Sequence, residues 1–196
     1  MKRIQKNWDD NKVLKQVDEA LNKFDDGELF VEEVFSENIL FDDNKIKNAS
    51  FDQDKGFGLR GVVNDEVIFT HNSELTDKSL TNALSNLKIT SKTNPLSQIR
   101  EYSKSNSSLY TSKNPINIVS LNEKINFLEK VNKYAREIDS NVKEVSVSLN
   151  GNHQNIEVTT KNGNMFYDSR PLVRMNISIS VDKKGKIESG SFGAGG

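Results

Sequence analysis

Residues 38–70 read NILFDDNKIKNASFDQDKGFGLRGVVNDEVIFT, and this stretch decides the fold class. Apolar residues alternate with polar ones in short runs, and turn-forming residues fall between the runs. Ile39 and Phe41 lead into Asp42-Asp43-Asn44; Ile46, Ala49 and Phe51 follow; Phe57, Leu59 and Val62 come after Gly56; Asn64-Asp65 turns the chain into Val67-Ile68-Phe69. A meander of about four strands is the economical reading. Gly56, Gly58 and Gly61 interrupt a pattern that otherwise wants side chains, which predicts bulges or a close approach of backbone.

Working outward, Val13, Leu14, Val17, Ala20, Leu21 and Phe24 recur at helical spacing, with Asp9 or Asp10 as N-cap and Asp25-Asp26-Gly27 as the stop. Residues 28–37, ELFVEEVFSE, predict a strand rich in Val and Phe. After the meander, Thr76 or Asp77 opens a second helix carrying Leu80, Ala83, Leu84 and Leu87. Residues 88–114 shift to Ser, Thr, Asn and Lys, and a domain boundary is expected there. Ser120-Leu121-Asn122-Glu123 is a capping-box pattern opening a long helix with Leu121, Ile125, Leu128, Val131, Ala135 and Ile138 on one stripe. Val142, Val145, Val147 and Leu149 then predict a strand, Asn150-Gly151 a turn, and Asn162-Gly163 a second turn before Met165-Phe166-Tyr167. Val173, Met175, Ile177, Ile179 and Val181 alternate strictly with polar residues, the period of a half-buried strand.

The predicted fold class is α+β, with two small units, each a mostly antiparallel sheet packed with one or two helices. The expected division is 1–90 for the first unit, 91–118 for a surface linker, 119–189 for the second unit and 190–196 for a glycine-rich connector. The 196 residues include 54 Leu, Ile, Val and Phe, enough for a real core.

The 27 basic and 28 acidic residues nearly cancel, so no net field recruits nucleic acid or an anionic membrane. There is no cysteine, which removes disulfides, thiolate chemistry and every Cys-containing zinc pattern from these residues. Basic residues at the start are followed by Asp9-Asp10-Asn11 instead of an apolar run, and no apolar run approaches the ~18 residues of a membrane span. The expectation is a soluble cytoplasmic protein.

Candidate chemistry is sparse. His71 and His153 are the only histidines, they fall in different predicted units, and neither has an acidic partner at metal-ligand spacing. The acid pairs Asp42-Asp43, Asp52/Asp54 and Glu32-Glu33 sit at strand ends and turns, where carboxylates are normally solvated. The run from Gly190 to Gly196 is glycine-rich but lacks the order of a dinucleotide loop and the lysine of a phosphate loop, so it reads as a connector to something longer. Arg170-Pro171-Leu172-Val173-Arg174 puts two guanidinium groups around a proline, which reads as salt bridging or strand-edge protection. No catalytic, cofactor-binding or metal-binding residue is assigned.

Four strings occur in order: FDQDKGFGLRGVV at 51–63, SLYTSKNP at 108–115, KVNKYAREIDSNVKEVSVSLNG at 130–151, and RPLVRMNISISV at 170–181 followed by ESGSFGAGG. Together they resemble the N-terminal part of the TldD/PmbA metalloprotease family, the TldD-like branch more than its PmbA (TldE) paralogue. The resemblance implies a cytoplasmic zinc peptidase acting on small or unfolded peptides, often as a TldD–TldE pair. It also implies that the His-Glu-x-x-x-His helix and remaining zinc ligand lie in a C-terminal domain beyond the glycine-rich run, so no family ligand maps onto a position here. Zinc is then a cofactor of the complete protein only. The implied partners are the C-terminal catalytic domain, a second copy or a TldE/PmbA-like paralogue, and a peptide substrate. A stand-alone peptide-binding or scaffold module, including the inactive subunit of such a pair, is the alternative.

Overall fold

The computed structural model describes residues 4, 8–64, 66–87 and 109–196. Helix α1 spans Asp10–Leu21, opened by Asp9, whose carboxylate accepts the Lys12 N–H at 2.9 Å. Strand β1 spans Asp26–Asp42 and β2 Lys45–Val63, joined by a two-residue turn in which Asp43 and Asn44 both take positive φ, 49° and 58°. Such a turn matches the natural twist of a hairpin, and Asn and Asp tolerate it best after glycine. Strand β3, Glu66–Asn72, pairs antiparallel with β2 from Phe57↔Asn72 to Val63↔Glu66. Helix α2, Asp77–Asn86, starts at a Thr76/Ser79 capping box. A single 3-10 turn at Pro115–Asn117 precedes α3, Leu121–Ile138. Strands β4, Val142–Thr160, β5, Met165–Lys183, and β6, Lys186–Gly195, complete the chain. The strands form one antiparallel six-stranded sheet in the order β3-β2-β1-β4-β5-β6.

The fold is α+β, as the sequence predicts, but the strands are longer and fewer. Three expectations change. Residues 45–63 are one strand, not two with a break near Phe51. Asn150-Gly151 is mid-strand in β4, not a turn. There the Asn150 side chain accepts from Asn38 of β1 at 2.5 Å, and a Cβ on Gly151 would lie 3.0 Å from Ile116. A cross-strand partner and a close approach therefore explain the two residues that local propensity assigns to a turn. The run 190–195 is strand, not loop: Lys184 and Gly185, with φ of 55° and 83°, make a tight turn that registers Lys183↔Lys186 through Arg174↔Gly195. The alternating β5 supplies the template, and Val173 and Gly196 exchange both backbone hydrogen bonds at 3.1 Å.

Two units cluster by contact, and each is built from three separate segments. The first draws on Met1–Val34, Asp54–Tyr110 and Gln154–Ser169, and the second on Phe35–Gln53, Thr111–His153 and Arg170–Gly196. Strands β1, β2, β4 and β5 each contribute residues to both. Of the predicted linker, 91–108 lies outside the described residues, as does Asp65 of the predicted turn.

In the first unit, Val13, Val17 and Leu21 of α1 and Leu80 and Ala83 of α2 bury against Leu29, Val31, Phe57, Leu59 and Val63. The helices meet each other through the Lys12–Asp77 ion pair and a Gln16–Thr81 contact of 3.5 Å. In the second unit, Leu128 and Ala135 of α3 pack with Ile39, Phe41, Val145 and Val147, with Met175, Ile177 and Ile179 at the margin. Polar groups fix the seating of α3. Lys124, whose side chain is 8% exposed, donates to Glu37 at 2.6 Å and to the Ile116 carbonyl at 2.7 Å; Glu37 is 12% exposed. About two turns further along the helix, Asn132 donates to Asn44 in the hairpin turn at 2.7 Å.

Removing one partner of a buried ion pair leaves an uncompensated charge, so K124M alone is expected to lower unfolding free energy by about 3–5 kcal/mol. The double variant K124M/E37L should recover most of that loss in urea denaturation, because neither charge then remains buried. At the start of α3, Glu123 accepts from the Ser120 hydroxyl at 2.7 Å and the Ser120 N–H at 3.0 Å, which holds its carboxyl below the ordinary carboxylate value. A depressed folded pKa adds stability that is complete above the ordinary value of 4.5 and lost as pH falls through the folded value. Thermal melts across that acid range should therefore show a shallower loss for E123Q than for the parent chain.

Candidate functional site

A concavity of the first unit lies on the sheet face turned away from its core. Along β1 the odd residues Leu29 and Val31 bury, so Glu28, Phe30, Glu32 and Val34 point the other way. Along β2, Phe57, Leu59 and Val63 bury, and Gly56, Gly58 and Arg60 share the opposite face. These residues, with Asp54, Lys55 and backbone at Phe57 and with Phe69, His71, Asn72 and Ser73 on and after β3, enclose a groove of about 500 Å³. No residue of α1 or α2 lines it.

The floor depends on glycine. A Cβ on Gly58 would lie 2.9 Å from the Phe69 ring, so the ring rests on bare backbone where a side chain would lift it. Phe69 stacks on His71 at 5.6 Å between centroids and 22° between planes, and it is 61% exposed. Across the groove, Arg60 donates from Nε to Glu28 at 3.0 Å and from a terminal nitrogen to Asp26 at 3.3 Å. The Glu28 hydrogen bond, with the charges of Glu28 and Asp26, holds the guanidinium pKa above its ordinary value, against partial burial. Glu32 accepts from the Gln154 amide.

The second unit has a polar depression of about 330 Å³ lined by Asn38, Ser50, Asp52, Asn150 and Arg174 among others. Amides dominate it: Asn48 donates to Asn38 at 3.0 Å and Asn38 to Asn150, while Arg174 donates to Asn176 at 3.0 Å.

The residues singled out from sequence disperse over this framework. His71 is in the first unit's groove, whereas His153 is buried in the second unit and stacks on Phe35 at 6.3 Å. Asp43 is in the hairpin turn and Asp42 ends β1. Asp54 borders the groove, while Asp52 falls in the other unit. Glu32 and Glu33 alternate on β1, and only Glu32 lines the groove. Arg170 and Arg174 lie on β5, with Arg174 at the amide-rich depression. A zinc ion needs three or four converging ligands, and no group of three or more His, Cys, Asp and Glu is placed for a metal among the described residues. With the histidines in different units and engaged with aromatic rings, the residues present do not fit a zinc site. Sequence reasoning missed Phe30, Arg60 and Phe69 as groove residues. The available signal was Gly56 and Gly58 two residues apart on one strand face, with an aromatic strand following.

Family models match two consecutive parts of the chain: PmbA/TldA metallopeptidase domain 1 over residues 27–89 and PmbA/TldA metallopeptidase central domain over 114–196. The chain belongs to the TldD/PmbA metallopeptidase family. A Metalloprotease TldD homolog of Buchnera aphidicola is 28% identical over 174 residues, 88% of this chain and 36% of that protein. One of Haemophilus influenzae is 30% identical over 163 residues, covering 82% and 34% respectively. The chain thus spans just over a third of the curated relatives it matches. Among solved structures, TldE from Thermococcus kodakarensis superposes with a TM-score of 0.68 at 14% identity, over 94% of this chain and 42% of that one. A Thermotoga maritima protein gives 0.73 at 14% identity, over the same shares. Both likenesses concern the fold.

The Arg60 fork reaches two carboxylates from separate nitrogens, a spacing that the compact ammonium of a lysine does not reproduce. Because Arg60 is 36% exposed, R60K should cost no more than about 1 kcal/mol in chemical denaturation. The loss should shrink in high salt, where the exposed pairs are screened.

Proposed function

We propose that these 196 residues are the non-catalytic N-terminal region of a TldD-like zinc metallopeptidase, cytoplasmic, that cleaves small or unfolded peptides. The observation that carries this reading is the pair of family matches: domain 1 and the central domain account for most of the chain, and the curated relatives named metalloproteases are far longer. On this reading the metal and its general base belong to a C-terminal domain. On this reading the segment packs on that domain, contributes to a dimer with a second copy or a TldE/PmbA-like paralogue, and encloses the peptide.

A physical route for enclosure follows from the strands. β3 and β6 are the two ends of the sheet order, so each presents backbone donors and acceptors on one side. An extended peptide can add to such an edge through main-chain hydrogen bonds, with little demand on sequence, which suits a protease of unfolded chains. No helix among the described residues is long and apolar enough to cross a membrane.

The test is hydrolysis of an internally quenched, unstructured peptide by the full-length protein. Turnover should vanish with a zinc chelator, return on adding zinc, and be absent from residues 1–196 alone. Chelator-insensitive turnover, or turnover by residues 1–196 alone, would overturn the reading. A full-length protein that binds the peptide and never cleaves it would point to the scaffold or inactive-subunit role.

A further inference from the structure

We propose that the groove on the first unit's sheet binds a short peptide segment carrying an aromatic or aliphatic side chain next to a lysine or arginine. This rests on the peptide-handling reading above and adds to it a place and a substrate preference. Four observations within that one unit converge. Phe30 and Val34 give the groove apolar surface, and its 500 Å³ is within the range that accommodates small ligands. Phe69 adds an exposed ring laid over Gly58 and braced by His71, so that it meets a ligand without first becoming ordered. Gly56 and Gly58 leave the backbone bare on that face, which lets an extended main chain approach closely.

The charges select the occupant. Glu28, Glu32 and Asp54 line the groove against Lys55 and Arg60. Arg60 is already shared between Glu28 and Asp26, so Lys55 is the remaining cation, and the three lining carboxylates outnumber the two lining cations by one. A ligand ammonium or guanidinium gains from these carboxylates and from the face of an aromatic ring, while its apolar neighbour covers Phe30 and Val34. An acidic peptide or a polyphosphate would meet the surplus carboxylate charge as net repulsion, offset in part by Lys55.

The experiment uses the full-length protein and two fluorescein-labelled probes, Lys-Phe-Lys-Phe and Glu-Phe-Glu-Phe, read by anisotropy before any cleavage product is detectable. The basic probe should bind at least about tenfold more tightly, a difference of the size expected from one desolvated cation–aromatic contact. F69A and the double variant E32Q/D54N should each weaken it by about tenfold, and E32Q/D54N should also flatten its salt dependence. Melting temperature checks that both variants fold, and E32Q/D54N, which keeps an acceptor oxygen for Gln154 at position 32 and alters an exposed carboxylate at 54, carries the test should F69A prove unstable. Equal binding of the two probes overturns the proposal, as does unchanged binding in both variants. If chelator-sensitive hydrolysis persists in that case, the groove assignment fails and the peptidase reading stands. Chelator-insensitive hydrolysis would sink the peptidase reading instead. An N72C variant that stays unreactive towards maleimide in the native full-length protein would show the groove covered by the remaining chain or a second copy, and would also overturn the proposal.

Discussion

The two-residue turn at Asp43-Asn44 is the constraint on which the rest of the structure depends. It joins strands of 17 and 19 residues that supply both cores, so its register decides which side chains each core receives. A slip of one residue would turn Phe57, Leu59 and Val63 outward and Gly56, Gly58 and Arg60 inward. The turn is not left to backbone preference alone. Asn132, buried on α3, holds Asn44 by its side-chain oxygen, and Arg136 in turn donates to Asn132 at 3.2 Å. A helix far along the chain thus fixes the hairpin that its own core needs, which is the mutual support expected of a minimally frustrated sequence.

Where the sequence was legible, the physics was local. The stripe of Leu128 and Ala135 and the Ser120/Glu123 box specify α3 without reference to anything distant, and the alternation through Met175, Ile177 and Ile179 specifies β5 in the same way. Where reading failed, the deciding partner was remote. Asn150-Gly151 carries a strong turn signal that a neighbouring strand and Ile116 override. The glycine run near the end has low strand propensity, yet a tight turn and a ready template draw it into pairing. The groove was the least legible feature. Gly58 announces that something comes close, and only the fold says that it is Phe69.

Several charged and aromatic residues of this region have structural tasks. Its ionisable groups are used to seat a helix, as at Lys124–Glu37, or to tie strands together, as at Arg60. Its aromatic residues divide between two tasks. Trp8 and Phe57 meet edge to face at 5.9 Å inside the core, whereas Phe69 lies open. An open ring buries little apolar surface and so contributes little to folding.

Strand β6 carries a different consequence. Every one of its ten residues is exposed, so its place is held by backbone hydrogen bonds to β5 and by the Lys184-Gly185 turn, with almost no side-chain burial behind them. Stability within a protein is uneven, and segments with few buried apolar contacts open at a free energy far below that of global unfolding. Among the described strands β6 is therefore expected to open first, its amides exchanging with solvent ahead of those of Leu59, Val145 and Val147, which wait for the core to open.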